Sequence, residues 1–223
     1  MTNGNDLIKP TFKLITVPKI HRIDGERRLY ETPGGERYPS VSTILSHGID
    51  NSYIEAWRAR VGAEVADKIS KKATTRGTLI HENIENYLQN KPQTFNDFHV
   101  EEKQQFSCVT DLLDRIDTVY ALETQLYSHK LRAAGTVDCC AKLDGKIRLI
   151  DWKTSSRVKS RDEIHSYFYQ CAAYAFFIYE LTGLIVADIL IVMLTSDDGL
   201  VLFEERVRDW LPGFIKIRNS LDF

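Results

Sequence analysis

The sequence predicts an α/β fold with a mixed central sheet flanked by helices. Three observations carry this expectation. The middle of the chain alternates as helix, strand, strand, strand, helix, strand, the order of an α/β layer. Asp144-Gly145 stands between two apolar stretches and is the strongest short signal for a two-residue hairpin turn. Leu184 to Leu194 is a near-continuous apolar run, broken only by Asp188, and reads as a strand buried on both faces. At 223 residues, 43% of them apolar, the chain is long enough for one sizeable domain with an ordinary core.

The elements follow in order. Arg28 to Glu31 and Glu36 to Tyr38 flank Pro33-Gly34-Gly35, which reads as a strand, a tight turn and a second strand. Ser40 to Leu45 leads into a short helix. Tyr53 to Lys72 carries Ile54, Trp57, Val61, Val65 and Ile69 at helical spacing. A second helix is expected from Thr75 to Gln89, with Leu79, Ile80, Ile84, Tyr87 and Leu88 as its buried stripe. A third covers Glu101 to Asp117. Val119 to Tyr127 reads as a strand, and Gly135 to Leu143 with Lys146 to Thr154 as the hairpin. Ser160 and Glu163 form the capping-box pattern S-x-x-E, opening a helix that Gly183 closes. Asp197-Asp198-Gly199 turns the chain into a strand from Leu200 to Val207, and a last helix runs to Asn219.

Composition excludes some classes of function. The 29 Lys and Arg against 31 Asp and Glu give a net charge of −2, unlike a histone-like binder of nucleic acid. A local basic groove is still compatible with it. The longest apolar run, Cys171 to Tyr179, is about half a membrane span, so no transmembrane helix and no membrane partner are expected. The start, MTNGNDLIKP, has neither a signal-peptide apolar core nor a transit-peptide pattern, which points to the cytoplasm. Cys108, Cys139, Cys140 and Cys171 form no C-x-x-C pair and read as buried thiols in a reducing compartment. Adjacent Cys139 and Cys140 on a strand point to opposite faces.

The hairpin permits a geometric deduction. With a two-residue turn at Asp144-Gly145, opposed residues have numbers summing to 289, so Asp138 faces Asp151. Directly opposed side chains share a face, with Cβ atoms about 4.5–5.5 Å apart. Lys153 lies two residues past Asp151 and projects from the same face. Unit charges about 4 Å apart at an effective dielectric of about 20 repel by about 4 kcal/mol. Lys153 offsets that as a structural ion pair in one reading. A divalent cation offsets it in the other, because hard cations gather oxygen ligands. Glu123 on the preceding strand offers a third carboxylate. His81 and Glu85 are i,i+4 on one helix face, behind Gly77, which allows close backbone approach. Gln170 and Tyr174 are likewise i,i+4 on the helix after Ser160.

In order, Gly77-x-x-x-His81-x-x-x-Glu85, Glu123, Gly135-Thr136-Val137-Asp138, Asp151-Trp152-Lys153-Thr154-Ser155 and Gln170-x-x-x-Tyr174 resemble the PD-(D/E)XK nuclease superfamily and its RecB-type exonuclease branch. The Tyr38-Pro39-Ser40-Val41 segment and Trp57 are similar to mitochondrial genome maintenance exonucleases and their small phage relatives. The motifs cover residues 77 to 174, with weaker similarity back to about residue 29. The resemblance implies a restriction-endonuclease-like core over residues 75–194 of a single 1–223 nuclease domain. Residues 1–74 then form an N-terminal hairpin and helical extension, and residues 195–223 a C-terminal strand and helix.

The resemblance also implies roles. Asp138 and Asp151 ligate Mg²⁺ or Mn²⁺, joined by His81 and the backbone carbonyl of Trp152. Lys153 orients or polarises the attacking water, and Glu123 holds metal-bound water or the helix end. Gln170, Tyr174, Ser155, Arg157 and Arg76 lie along the substrate. Arg157, Lys159 and Arg161 on one side and Lys71, Lys72 and Arg76 on the other suit a polyanion, or else form solvated faces. Iron–sulfur members of the branch carry three C-terminal cysteines. No cysteine follows Cys171, so no cluster is expected. The P-loop G-x-x-x-x-G-K-[ST] is missing, so no ATP is expected.

The expected activity is therefore a metal-dependent deoxyribonuclease, an exonuclease on single-stranded DNA ends in replication, recombination or repair. Its partner would be a single-strand-binding or recombination protein, and its setting a bacterial or phage-infected cell. The rival readings are a flap or junction endonuclease, a catalytically silent DNA-binding subunit and a structural metal protein. The intact Asp138, Asp151 and Lys153 set argues against silence. Structural metal sites favour Cys and His.

Overall fold

The computed structural model describes residues 9–25, 27–50, 52–196 and 199–223. Its centre is a six-stranded sheet. The strands are β1 (Thr11–Phe12), β5 (Ile116–Ser128), β6 (Ala133–Leu143), β7 (Lys146–Ser155), β8 (Asp188–Thr195) and β9 (Leu200–Arg206), in that spatial order. β1 runs parallel to β5 and β7 parallel to β8, while the other neighbours are antiparallel, so the sheet is mixed as expected. The remaining strands, β2 (His21–Ile23), β3 (Leu29–Glu31) and β4 (Arg37–Pro39), form a separate three-stranded antiparallel sheet. The sequence showed only a hairpin there. Tyr30 and Tyr38 bury that small sheet against Tyr127 and Ala134.

Helices cover both faces of the large sheet. On one side α1 (Val41–Gly48), α6 (His165–Thr182) and α7 (Val207–Asn219) enclose a core with Phe168, Phe177 and Phe214. On the other, α3 (Ala63–Leu88), α4 (Val100–Ser107) and α5 (Thr110–Leu113) pack over Ile150, Trp152 and Val192. The apolar run of β8 serves both sides, Ile189, Ile191 and Met193 facing the first core and Leu190, Val192 and Leu194 the second. Cys139 and Cys140 divide in the same way, as strand alternation requires. Three of the four thiols are buried, and Cys108 is exposed, contrary to the expectation for it.

Several boundaries move. The expected Tyr53–Lys72 helix is two helices, α2 (Ser52–Val61) and the first half of α3, separated at Gly62, whose φ of +86° breaks helical geometry. α3 then continues unbroken through the expected start at Thr75 and the 74/75 boundary. Its N-terminal half is not core. Val65 and Ile69 are about half exposed, so the three-and-four spacing marked a helix but not a buried face. The third helix stops at Ser107 and resumes as the single turn α5, and β5 begins three residues earlier than expected.

The capping box forms only in part. Glu163 reaches back to the Ser160 N–H at 2.9 Å, but Ser160 to Glu163 is a turn and α6 starts at His165. Gly183 closes α6 in the left-handed conformation, as read. Leu184 to Ala187 lies outside the strand ladder, and β8 begins at Asp188, where it meets Arg148. Asp197 and Asp198 of the expected turn, and residues 1–8 at the start, lie outside the described residues. No helix among the described residues is long and apolar enough to cross a membrane.

Candidate metal and nuclease centre

The β6–β7 hairpin has the deduced register. Its pairs run from Leu143–Lys146 to Cys139–Ile150, all summing to 289. Asp144 and Gly145 have φ of +51° and +77°, the double left-handed turn the Asp-Gly pair favours. The ladder then stops one residue short of Asp138 and Asp151. The next hydrogen-bonded pair would be Val137–Trp152. Instead the Asp138 carboxylate accepts the Trp152 N–H at 3.0 Å. The deduced direct pairing of the two aspartates is thus replaced by a side-chain bond that opens the strand ends.

Three donors converge on that opening. His81 Nδ1 lies 3.7 Å from Asp138 Oδ2 and 3.8 Å from Glu123 Oε1, and the three ligand atoms fall within 4.8 Å of one another. The other imidazole nitrogen, Nε2, is 2.8 Å from the Trp152 carbonyl oxygen. A carbonyl only accepts, so Nε2 carries the hydrogen. Neutral His81 then presents a bare Nδ1 toward the two carboxylates, the form a metal ligand needs. The Trp152 carbonyl, expected as a ligand itself, is the acceptor that orients His81. Burial disfavours the imidazolium, but the Asp138 and Glu123 carboxylates outweigh it and raise the His81 pKa. In the absence of a cation, a proton is the charge that fits between them.

Glu123 reaches the cluster through unusual backbone. It sits mid-strand with φ of +43°, between the pairs Leu122–Cys139 and Thr124–Val137. Thr124 brackets it, its hydroxyl accepting the Leu122 N–H and donating to the Leu122 carbonyl. A non-glycine residue held there stores strain, which concentrates at functional sites. The sequence named Glu123 a candidate but carried no signal for its conformation or for so close a place beside His81.

Asp151 is 2% exposed and pairs with Lys153 Nζ at 2.5 Å. Burial pushes the Asp151 carboxyl up to about 6, against the pull of Lys153 and with the push of Asp138. Burial opposes the Lys153 charge, but Asp151 and Asp138 outweigh it, so its pKa rises and it stays an ammonium. The Tyr167 ring lies under it, centroid 4.9 Å away. Lys153 is therefore a fixed donor and positive charge, unsuited to act as a base. His81, Glu123 and Asp138 form the immediate donor set, with Asp151 beside it in the Lys153 pair. A mixed imidazole–carboxylate set of this kind fits a divalent cation, with imidazole favouring Mn²⁺ over Mg²⁺.

The remaining expected site residues divide. Gln170 donates to the Tyr174 hydroxyl at 3.3 Å, but Tyr174 is 4% exposed and belongs to the core. Its ring is not open to a base. Glu85 binds Gln89 and lines the mouth of the cluster with Gly77, Thr78, Glu82 and Arg22. A β-carbon on Gly77 would meet Thr154 Oγ1 at 3.5 Å, an ordinary contact, so the close approach expected there is not required. Arg157 pairs with Glu163 and Arg161 with Glu205, while Ser155 is buried at the end of β7. Arg76, nearly buried, meets Glu101 and Ser196. Trp57, with Tyr53, Ile54 and Arg60, faces Arg157, Lys159 and Glu163 across a groove.

No family model matches the chain. It is similar to mitochondrial genome maintenance exonuclease 1 of mouse (26% identity over 128 residues), human (29% over 131) and Xenopus tropicalis (28% over 128). Each match covers 54% of this chain, and the chain spans only 37–38% of those relatives. A crystal structure of a candidate exonuclease from Eubacterium rectale aligns with TM-score 0.43 at 12% identity, over 66% of this chain and 68% of that one. That alignment is too loose to argue from. The sequence relatives bear out the resemblance to mitochondrial genome maintenance exonucleases.

Proposed function

We propose that the chain is a divalent-metal-dependent DNA exonuclease that hydrolyses phosphodiester bonds from single-stranded ends. The observation that carries this reading is the convergence of His81 Nδ1, Glu123 and Asp138 beside the buried Asp151–Lys153 pair. Phosphodiester hydrolysis needs a nucleophile at neutral pH and neutralisation of the charge that develops on phosphate. A bound Mg²⁺ or Mn²⁺ supplies both. His81, Glu123, Asp138 and Asp151 would hold it. The Trp152 carbonyl fixes the His81 tautomer, and the Trp152 N–H fixes one Asp138 oxygen.

Lys153 holds a permanent positive charge at the edge of this set and donates toward the attacked phosphate or the water in line with it. The likeness to the mitochondrial exonucleases supports DNA as the substrate. The groove between α2 and the 157–163 segment, with aromatic and basic walls, supports a single strand over a duplex, because bases with open faces can stack there. End-labelled single- and double-stranded DNA, incubated with Mg²⁺, Mn²⁺ or EDTA, tests this. Cleavage with either metal and none with EDTA is expected, and metal-independent cleavage would overturn it.

A further inference from the structure

We infer that a phosphoryl-binding subsite, formed by Lys72, Arg76 and Lys159 with the hydroxyls of Ser155 and Ser156, adjoins the metal-ligand cluster and takes a phosphate of the bound strand. The inference deepens the nuclease reading and rests on it. α3 and β7 run antiparallel across the site. His81 touches Trp152, and one helical turn earlier Gly77 lies against Thr154. A further step along both elements brings Lys72 and Arg76 beside Ser155 and Ser156, in one groove with Lys159. From Lys153 to Ser155 is about 7 Å at the usual strand rise. That is about one nucleotide along an extended strand.

Arg76 is the telling residue. Its side chain is only 10% exposed, yet a single nitrogen is in use, Nη1 meeting Glu101 at 3.2 Å and Ser196 Oγ at 3.4 Å. Nε is buried with no hydrogen-bond partner, and Nη2 has none among the described residues. A guanidinium taken out of water with most of its donors idle is costly, and a planar donor fork suits phosphate oxygens. Among the described residues lining the groove, three cations face one carboxylate, that of Glu101. The excess of positive charge suits a phosphoryl anion, whether the near-dianion of a strand end or the monoanion of the backbone. Lys159 Nζ meets the Tyr167 hydroxyl at 3.5 Å, and the same ring underlies Lys153, so the subsite adjoins the catalytic charge directly.

A terminal phosphomonoester and a backbone phosphodiester share this chemistry. Fluorescence anisotropy in EDTA separates them, using short single strands with 5′-phosphate, 3′-phosphate or hydroxyl ends against wild type, Arg76→Gln and Lys159→Gln. Each variant should bind about tenfold or more weaker, the loss of a charge-assisted hydrogen bond. The slope of log K against log salt should fall by about 0.7, the signature of one lost phosphate contact on a single strand, which a merely structural change would leave unmoved. Weakening confined to phosphorylated strands assigns the terminal group. Equal weakening on all strands assigns the backbone. Wild-type binding retained by both variants on every strand, with the slope unchanged, would overturn the subsite while leaving the nuclease reading intact. A wild type that binds no strand overturns the subsite, while the nuclease reading stands or falls separately on cleavage with Mg²⁺ or Mn²⁺.

Discussion

A β-carbon on Gly135 would lie 2.5 Å from the Tyr174 hydroxyl and 2.7 Å from the ring edge, so the tyrosine occupies the space a side chain would need. Two residues that read in the sequence as separate motif marks are one packing unit. Gly135 on β6 admits the ring of Tyr174 from α6, which closes the core behind Asp138. Gly135→Ala should therefore cost about 1–3 kcal/mol by overpacking. Tyr174→Phe should relieve part of that cost, because it removes the nearer atom. Urea denaturation of the metal-free single and double variants checks this, and an additive pair would show that the two do not meet.

The donor set makes a second prediction. Asp138→Asn, Asp151→Asn and Lys153→Ala should each lose about a hundredfold or more in cleavage, the scale of removing one charge-stabilising group. Circular dichroism should show the fold retained. Full cleavage by Asp151→Asn would sink the site.

Metal linkage gives a third. A ligand bound only by the native state adds RT ln(1 + [L]/Kd), about 2.7 kcal/mol at a hundredfold excess over Kd. Mn²⁺ should raise the melting temperature of wild type. It should do so less for His81→Ala and Glu123→Gln, and hardly at all for Asp138→Asn. Equal shifts in all four proteins would place the cation elsewhere.

The pH dependence follows from Asp151 and His81. The folded pKa of Asp151 is raised to about 6 from 3.8, by burial above all. A raised carboxyl contributes stability that is complete below its unfolded value and is lost as pH rises through about 6. The metal-free protein should thus lose stability on this account between pH 4 and pH 7. A cation must displace these protons, and the raised His81 pKa adds to the competition. The Mn²⁺-induced rise in melting temperature should be small at pH 5 and large above pH 7. A shift independent of pH would exclude Asp151 and His81 from the metal's surroundings.

Where local chemistry and tertiary packing agree, the sequence was enough. Asp144-Gly145 set the hairpin register to the last pair before the site, and Gly183 ended its helix, because each needs a left-handed backbone that few residues adopt. Where apolar spacing lacked a partner surface, it misled. Val65 and Ile69 recur at helical intervals but face solvent, and periodicity alone does not distinguish the two cases. Glu163 reached for the Ser160 amide but also binds Arg157, and the chain turned there before starting α6. The site showed the same division. Residue types and order pointed to His81, Asp138, Asp151 and Lys153. The left-handed Glu123, the His81 tautomer and the burial of Tyr174 depend on contacts between distant segments.

The last prediction concerns ends. The N-terminal third divides in two. The small sheet of β2 to β4 packs against the body through Tyr30 and Tyr38, and Arg22 of β2 lines the mouth of the donor cluster. The part that faces open space is α2 with the first half of α3, joined at Gly62. Tyr53, Ile54, Trp57 and Arg60 of α2 look across a groove at Arg157 and Lys159. A chain of net charge −2 has little diffuse attraction for DNA, so the proposed single-strand binding would depend on concentrating a few cations and aromatic faces around one strand. On the proposed reading, a passage walled by α2 on one side and the 157–163 segment on the other would admit a free end more readily than a closed loop. Linear single-stranded DNA should be degraded, and a closed circle of the same sequence should survive much longer. Trp57→Ala should slow degradation of the linear strand through KM more than kcat, because a stacking residue remote from the scissile bond contributes to binding. Rapid cutting of the circle would replace the exonuclease with an endonuclease and leave the metal centre standing.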